Sequence, residues 1–251
     1  MALEFTGERY IPELKSPKIS YEHWHRYVFT KQFVPNKTIL DVACGEGYGA
    51  AYLAQFANHV TGVDISEEAI FHAQKNYFLN NLSFISTNAN KLSFNNNIFD
   101  VITSFETIEH LSKEDQELFL SECKRILKDE GLLIISTPNK KIYSDKNNYQ
   151  NPFHLYEFYE DGFLSFLKNK FNNVFIFQQQ IFSGSLIMSH HNSTINQEGI
   201  QLMENGFTPT SIKELSSSEY LIAICSDVSF SLPPNNILID PGNSLYSETN
   251  I

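Results

Sequence analysis

The 251-residue sequence has little cysteine, little positive charge and no long apolar run. Cys44, Cys123 and Cys225 lie inside apolar segments without metal-type spacing, so we expect buried free thiols in a reducing compartment. Acidic residues outnumber basic ones 29 to 18, and the net charge of −11 argues against nucleic acid as a partner. No run approaches the roughly 20 apolar residues of a membrane span, and the N-terminus lacks a leader pattern. We therefore expect a cytoplasmic protein.

The stretch around which the chain is organised is Ile39–Gly49, ILDVACGEGYG, an apolar run that ends in Asp41 and then breaks into three glycines. Glycine admits backbone conformations closed to other residues and lets the main chain lie against a ligand. A second apolar run, Val60–Asp64, also ends in an acid. Asp64 follows Gly45 by 19 residues, close to the roughly 20 expected of a carboxylate that binds a ribose diol. These features predict a half-domain for a nucleotide-like cofactor.

The turn reads D-V-A-C-G-E-G-Y-G, without G-x-G-x-x-G, and it resembles the turn of class I S-adenosylmethionine (SAM) methyltransferases. The resemblance implies that Asp41 acts on the methionyl ammonium, directly or through water, and that Asp64 holds both ribose hydroxyls. Asn88 stands where the family usually has an acid, and its side-chain oxygen can still accept from the adenine amino group. The implied cofactor-binding residues are Asp41, Ala43, Gly45, Gly47, Asp64, Ile65, Asn88, Ala89, Phe105 and Arg26.

Strand and helix patterns alternate regularly after Pro35, which predicts an α/β fold. Ser66 is expected to cap one helix, and Ser112 with Asp115 forms a capping-box pattern for another that ends at Gly131. The remaining predicted elements are a helix over Tyr48–Ala57 and strands over Leu82–Ser86, Phe99–Ser104, Leu132–Ser136, Val174–Phe177 and Tyr220–Cys225. The family resemblance implies a Rossmann-like seven-stranded sheet, mostly parallel with an antiparallel last strand.

Three regions are expected along the chain: an N-terminal helical lid over 1–35, a methyltransferase domain over 36–226, and a tail over 227–251. The lid helix is predicted to bury an apolar face and to offer Arg26 and Tyr27 over the cofactor. The domain is expected to contain an insertion over 189–218 that covers the substrate side. The tail lacks periodicity, so we expect it to be loose or to pack on the partner subunit of a homodimer. The predicted apolar face consists of Tyr21, Trp24, Val28, Phe29 and Gln32.

The string TGERYIP, followed by EHWHRY, resembles the N-terminal segment of methyltransferases encoded with bacterial surface-glycan and nucleotide-sugar enzymes. That resemblance implies O-methylation of a small molecule, either a nucleotide sugar or a nascent glycan. A sugar hydroxyl is a poor nucleophile and needs a base or a metal to remove its proton.

Four residues are predicted to supply this chemistry: Glu106, Glu109, His110 and His154. Positions 106, 109 and 110 are expected to share one side of a helical turn, and a polar loop can return His154 to them. The string resembles the metal-binding Glu-x-x-Glu-His of small-RNA 2′-O-methyltransferases and ubiquinone-pathway O-methyltransferases, which implies Mg²⁺ or Mn²⁺. The alternative is a metal-free site in which His110 or His154 is the base, with Glu106 as a further catalytic residue.

Other functions stay open from the sequence. A sugar N-methyltransferase would need no strong base, because a neutral amine attacks unaided. Methylation of RNA ends or of quinone precursors would share the Glu-x-x-Glu-His string, although the acidic charge argues against RNA. A noncatalytic SAM-binding subunit would not need the polar cluster that follows the fourth strand.

Overall fold

A seven-stranded mixed sheet carries the fold of this computed structural model, which describes residues 17–181, 201–204, 208–211, 218–235 and 237–238. The sheet strands are β1 Thr38–Val42, β2 His59–Asp64, β3 Leu82–Ser86, β4 Phe99–Ser104, β5 Leu127–Pro138, β6 Asn173–Gln179 and β9 Tyr220–Ser226. Their order in the sheet is β3-β2-β1-β4-β5-β9-β6; the neighbours from β3 to β5 are parallel, and β9 is antiparallel to both β5 and β6. The predicted fold class is confirmed.

Helices cover both faces of the sheet because its strands alternate apolar side chains between two cores. Ile39 and Val101 belong to the core on the face of the first three helices, whereas Leu40 and Ile102 belong to the core under the last two. The helices are α1 Pro17–Thr30, α2 Tyr48–Ala54, α3 Glu67–Asn76, α4 Lys113–Ile126 and α5 Glu160–Lys168. The three cysteines are buried free thiols, as predicted.

The helix starts follow the sequence more closely than the helix ends. The Ser66 hydroxyl accepts from Ala69 N at 3.2 Å, and the Ser112 hydroxyl accepts from Asp115 N at 3.2 Å, so both predicted caps are confirmed. The predicted end of α4 at Gly131 is wrong. Leu127 already turns extended and pairs with Phe99, which places Gly131 inside β5.

Helix α2 also ends earlier than predicted, at Ala54 rather than Ala57. The amides of Phe56 and Ala57 both donate to Leu53 O at 3.0 Å, so a single carbonyl closes the last turn of the helix. The chain then enters β2 directly.

The predicted apolar face of α1 is confirmed for Phe29, which is buried in the core, and is wrong for Gln32. Gln32 lies beyond the helix and is exposed, while Trp24 is only half-buried. The helix instead buries Glu22 and Arg26, which is tolerated because both side chains have buried partners on the distant strands β6 and β9.

Several predictions fall on residues outside the described part of the chain. These include TGERYIP, most of the insertion over 189–218 and the end of the tail. Within the insertion, the segments β7 Gln201–Glu204 and β8 Thr208–Ser211 pair antiparallel in a separate two-stranded sheet. The domain boundaries and the homodimer stay predictions. Among the described helices, none has the length and apolar character needed to cross a membrane.

Candidate active site

The turn after β1 adopts a backbone that few side chains tolerate. Ala43, Gly45 and Gly47 have φ values of 58°, 54° and 83°. A Cβ on Gly47 would also lie 2.6 Å from the Phe84 ring. Glycine at this position therefore satisfies both the left-handed backbone and the tight packing. The turn lies at the carboxyl ends of the parallel strands, where open α/β sheets bind ligands.

Gly49, the third glycine of the motif, has a packing role. A Cβ on Gly49 would lie 1.9 Å from an atom of the Tyr27 ring. Gly49 thus makes room for α1 to pack on α2, whereas the sequence suggested that it would lie against the ligand.

Asp64 closes β2 and faces the glycine turn. One of its carboxylate oxygens accepts from Gly45 N and the other from Ser66 N, each at 2.9 Å. These bonds fix the carboxylate, and each oxygen retains a lone pair for a second donor. The arrangement fits the two hydroxyls of a ribose.

Asp41 is the penultimate residue of β1 and is almost fully buried. Its carboxylate accepts from the Thr103 hydroxyl at 2.7 Å and from the Tyr27 hydroxyl at 3.1 Å. Burial raises the pKa of Asp41 to about 7, even though these two hydrogen bonds favour the ionised form. A buried carboxyl group that is costly to ionise fits a cationic ligand group such as the methionyl ammonium of SAM.

The remaining predicted cofactor residues differ in how exposed they are. Ile65 follows Asp64 and is 71% exposed, and Phe105 follows β4 and packs edge-on against Tyr27. Asn88 is exposed, and its side-chain oxygen accepts from Asn90 N at 2.9 Å, while Ala89 is half-buried.

Arg26 offers no exposed surface to a cofactor. Its side chain is 0% exposed and its guanidinium lies 3.4 Å from the Glu106 carboxylate. It also donates to Gln179 at 2.9 Å and lies over the Tyr220 ring. The contact between Arg26 and the cofactor stays a prediction, and the buried side chain has no exposed surface that could make it.

A second group of polar side chains follows β4. Glu106 has a φ of 50°, so it lies outside the short 3₁₀ turn of Ile108–His110, and the expected common helical turn is wrong for this residue. Its carboxylate accepts from the Ser136 hydroxyl at 2.6 Å and pairs with Arg26. Glu106 is therefore held between β4, β5 and α1.

The structure brings Glu109, His110 and His154 together. One potential ligand atom from each residue lies within 4.8 Å of the others, and Glu106 is not in this group. The backbone explains the return of His154: Glu109 O accepts from Leu155 N at 2.8 Å and from Tyr156 N at 3.1 Å. The rings of His110 and His154 then lie 5.0 Å apart between centroids.

Glu109 is the most deeply buried member of this cluster. One carboxylate oxygen accepts from the Thr137 hydroxyl at 3.1 Å, and the other has no hydrogen-bond partner among the described residues. Burial, followed by the charge of Glu106, raises the pKa of Glu109 well above its ordinary value. This oxygen lies 3.9 Å from His110 Nε2. A buried carboxylate oxygen without a hydrogen bond, beside two imidazoles, fits a divalent cation.

Several residues of the site escaped the sequence reasoning. Thr103 on β4 contacts Asp41 on the neighbouring strand β1. Ser136 on β5 contacts Glu106, which follows β4. Glu157 contacts His154, and Tyr143 stacks on the same imidazole with a centroid distance of 5.5 Å. Only Glu157 carried a usable local signal, because an acid three residues after a histidine can contact its ring.

The sheet order, the left-handed glycine turn after β1 and the carboxylate at the end of β2 agree with what the resemblance to class I SAM-dependent methyltransferases implies. Residues 40–135 match the family model described as a methyltransferase domain. The predicted class and the predicted cofactor, SAM, are confirmed for this domain.

Relatives agree with this assignment. A Mycobacterium tuberculosis protein named "Probable S-adenosylmethionine-dependent methyltransferase" is 36% identical over 169 residues, which cover 66% of this chain and 60% of the relative. The ubiquinone biosynthesis O-methyltransferase of Bartonella tribocorum is 34% identical over 107 residues, or 42% of each chain. The YcgJ protein of Bacillus subtilis shares the fold, with a TM-score of 0.55 at 16% identity over 82% of this chain and 100% of that one.

Proposed function

We propose that the protein is an O-methyltransferase that transfers the methyl group of SAM to a hydroxyl of a nucleotide sugar or glycan. The observation that carries the proposal is the cluster of Glu109, His110 and His154 beside the carboxyl end of β4. It lies at the same end of the sheet as Asp41 and Asp64, because β1 and β4 are parallel neighbours. The glycan part rests on the resemblance of the N-terminal strings.

The chain's own residues divide the work of such a reaction. Bound SAM supplies an activated methyl group, so the protein has to orient the acceptor, exclude water and take up a proton. Asp64 and Asp41 would hold the ribose and the ammonium. His110 or His154 would accept the hydroxyl proton, since imidazole is the ordinary side-chain base near neutral pH.

A divalent metal at the cluster is part of this proposal. Glu109, His110 and His154 would hold Mg²⁺ or Mn²⁺ and leave positions for water or substrate hydroxyls. A metal there would lower the pKa of a bound hydroxyl and assist the proton's removal. Exhaustive chelation should then abolish transfer and added Mn²⁺ should restore it. Full activity after chelation would remove the metal and leave the two histidines as bases.

A second candidate is O-methylation of a quinone precursor. The specific observation in its favour is the similarity to ubiquinone biosynthesis O-methyltransferases, which covers the domain core. A phenolic hydroxyl is more acidic than a sugar hydroxyl, so it needs less help from a base.

The test is a transfer assay with labelled SAM and four panels: nucleotide sugars, amino sugars, quinone precursors and short RNAs. Methylation of a nucleotide-sugar hydroxyl is the expected result. Transfer only to quinone precursors would favour the second candidate, and transfer only to amino groups or RNA would contradict O-methylation of a sugar. Binding of SAM without transfer to any panel would indicate a noncatalytic subunit.

A further inference from the structure

His154 is held by an acidic residue that lies outside the predicted cluster. Its Nδ1 lies 2.6 Å from a carboxylate oxygen of Glu157. Both side chains are largely buried, with exposed fractions of 6% and 9%. The hydroxyl of Ser144, in the π-helix Lys141–Lys146, donates to the other Glu157 oxygen. Ser144 therefore fixes Glu157 through one carboxylate oxygen, and the other oxygen contacts the imidazole.

Asn151 identifies the nitrogen that carries the proton. Its side-chain oxygen accepts from Phe153 N at 3.0 Å, which sets the orientation of the amide. The amide nitrogen then lies 3.0 Å from His154 Nε2. Because an amide NH₂ group only donates, Nε2 must present a lone pair, and in the neutral ring the proton resides on Nδ1 and is donated to Glu157.

His110 has the same tautomer for a related reason. Its Nδ1 lies 3.1 Å from the carbonyl oxygen of Phe153, which can only accept. The neutral His110 ring therefore also presents a lone pair on Nε2. The segment from Asn151 to Glu157 thus orients both imidazoles of the cluster.

We propose that Glu157 is a positioning residue that fixes His154 in the tautomer protonated at Nδ1, so that Nε2 supplies the lone pair used in the active site. This inference rests on the proposed function, because it takes His154 as the group that accepts the hydroxyl proton or binds the metal. A carboxylate that accepts from one ring nitrogen orients the ring and makes the other nitrogen a better acceptor. In this structure Asn151 donates to that nitrogen, and a substrate hydroxyl would replace this donor.

The test is NMR of the full-length protein labelled with ¹⁵N-histidine, at a pH where histidine side chains are ordinarily neutral. Couplings to the ring protons distinguish a protonated from an unprotonated nitrogen, and His154→Gln assigns the signals of His154. The wild type should show a proton on Nδ1. Glu157→Gln should retain this pattern because the amide oxygen still accepts. Glu157→Leu should lower the fraction of rings with the proton on Nδ1, because only Asn151 then favours that tautomer. Binding of S-adenosylhomocysteine (SAH), measured by calorimetry, should be equal in the wild type, Glu157→Gln and Glu157→Leu.

Two results would overturn the proposal: a proton on Nε2 of His154 in the wild type, or an unchanged Nδ1 pattern in folded Glu157→Leu. The wild-type spectrum alone decides if Glu157→Leu does not fold. The readout needs no acceptor substrate, so it is separate from the transfer assay. Absence of transfer with the expected spectrum would remove the proposed function but not the assignment of the tautomer.

Discussion

Two edges of the candidate active site differ in the residues that form them and in the chemical groups that they present to a ligand. The cofactor edge consists of the ends of β1 and β2, which carry the carboxylates of Asp41 and Asp64, and of the turns that follow them. The acceptor edge consists of side chains that follow β4 and β5, centred on Glu109, His110 and His154. In the proposed function, the cofactor edge would bind by backbone shape and charge, and the acceptor edge would move a proton or bind a cation. Substitutions at one edge should therefore leave the other edge working.

The largest effect is expected at the acceptor edge. His110→Ala and His154→Ala should each lower methyl transfer by about 100- to 10,000-fold, the ordinary contribution of a positioned base. Their affinity for SAH in calorimetry should equal that of the wild type, because neither residue contacts the cofactor edge. His72→Ala on α3 is the matched control and should be fully active. A parallel loss of SAH affinity would show that the two edges are not separate.

The next effect is expected at the cofactor edge. Asp64→Ala should weaken SAH binding by about 1–3 kcal/mol, because it removes charge-assisted hydrogen bonds to the ribose. Asp64→Asn should lose less, since its oxygen can still accept from Gly45 N or Ser66 N. Calorimetry measures both variants. Equal affinity in wild type and Asp64→Ala would disprove the role of this carboxylate.

The cofactor edge should also respond to pH. The pKa of Asp41 is raised to about 7, so the folded protein without ligand binds a proton that the unfolded chain releases at lower pH. Its stability should therefore fall as pH rises from about 4 to 7. SAH affinity should rise over the upper part of this range, by at most about tenfold per pH unit below 7, because the ammonium binds the ionised carboxylate. A flat pH profile of affinity, or one equal to that of Asp41→Asn, would contradict this account.

The smallest effect is expected where α1 meets the cofactor edge. Tyr27→Phe removes the hydroxyl that donates to Asp41 but keeps the ring that fills the space beside Gly49. SAH affinity should change by about 0.5–1.5 kcal/mol, the net value of one hydrogen bond. Thermal unfolding should shift little, which separates this effect from loss of packing. A shift in stability as large as that of Tyr27→Ala would show that the hydroxyl supports the fold instead.

The cofactor edge could be predicted because its information is local. Asp41, the glycines and Asp64 occur within two adjacent strand-to-helix turns, and the Ser66 and Ser112 caps depend only on the next three residues. Local sequence patterns did not predict the side chains whose burial depends on partners distant in the sequence. Arg26 is buried among partners that are distant in the sequence, such as Gln179, which accepts its hydrogen bond from 153 residues away.

The proximity of Glu109, His110 and His154 could be predicted from the sequence, but the geometry that produces it could not. Glu109 and His154 meet because the amides that follow His154 bind the Glu109 carbonyl, a contact without a sequence signal. Glu106 was expected beside them, yet its left-handed backbone and its contact with Ser136 direct it to β5. These side-chain positions depend on tertiary packing, which a local sequence motif does not encode.

The most direct test of the two-edge account is a crystal structure of the protein with SAH. The account predicts that the ribose hydroxyls lie on the Asp64 carboxylate and the ammonium lies near Asp41, with the sulfur facing the cluster of Glu109, His110 and His154. A ribose bound away from Asp64, or a sulfur that faces away from this cluster, would contradict it.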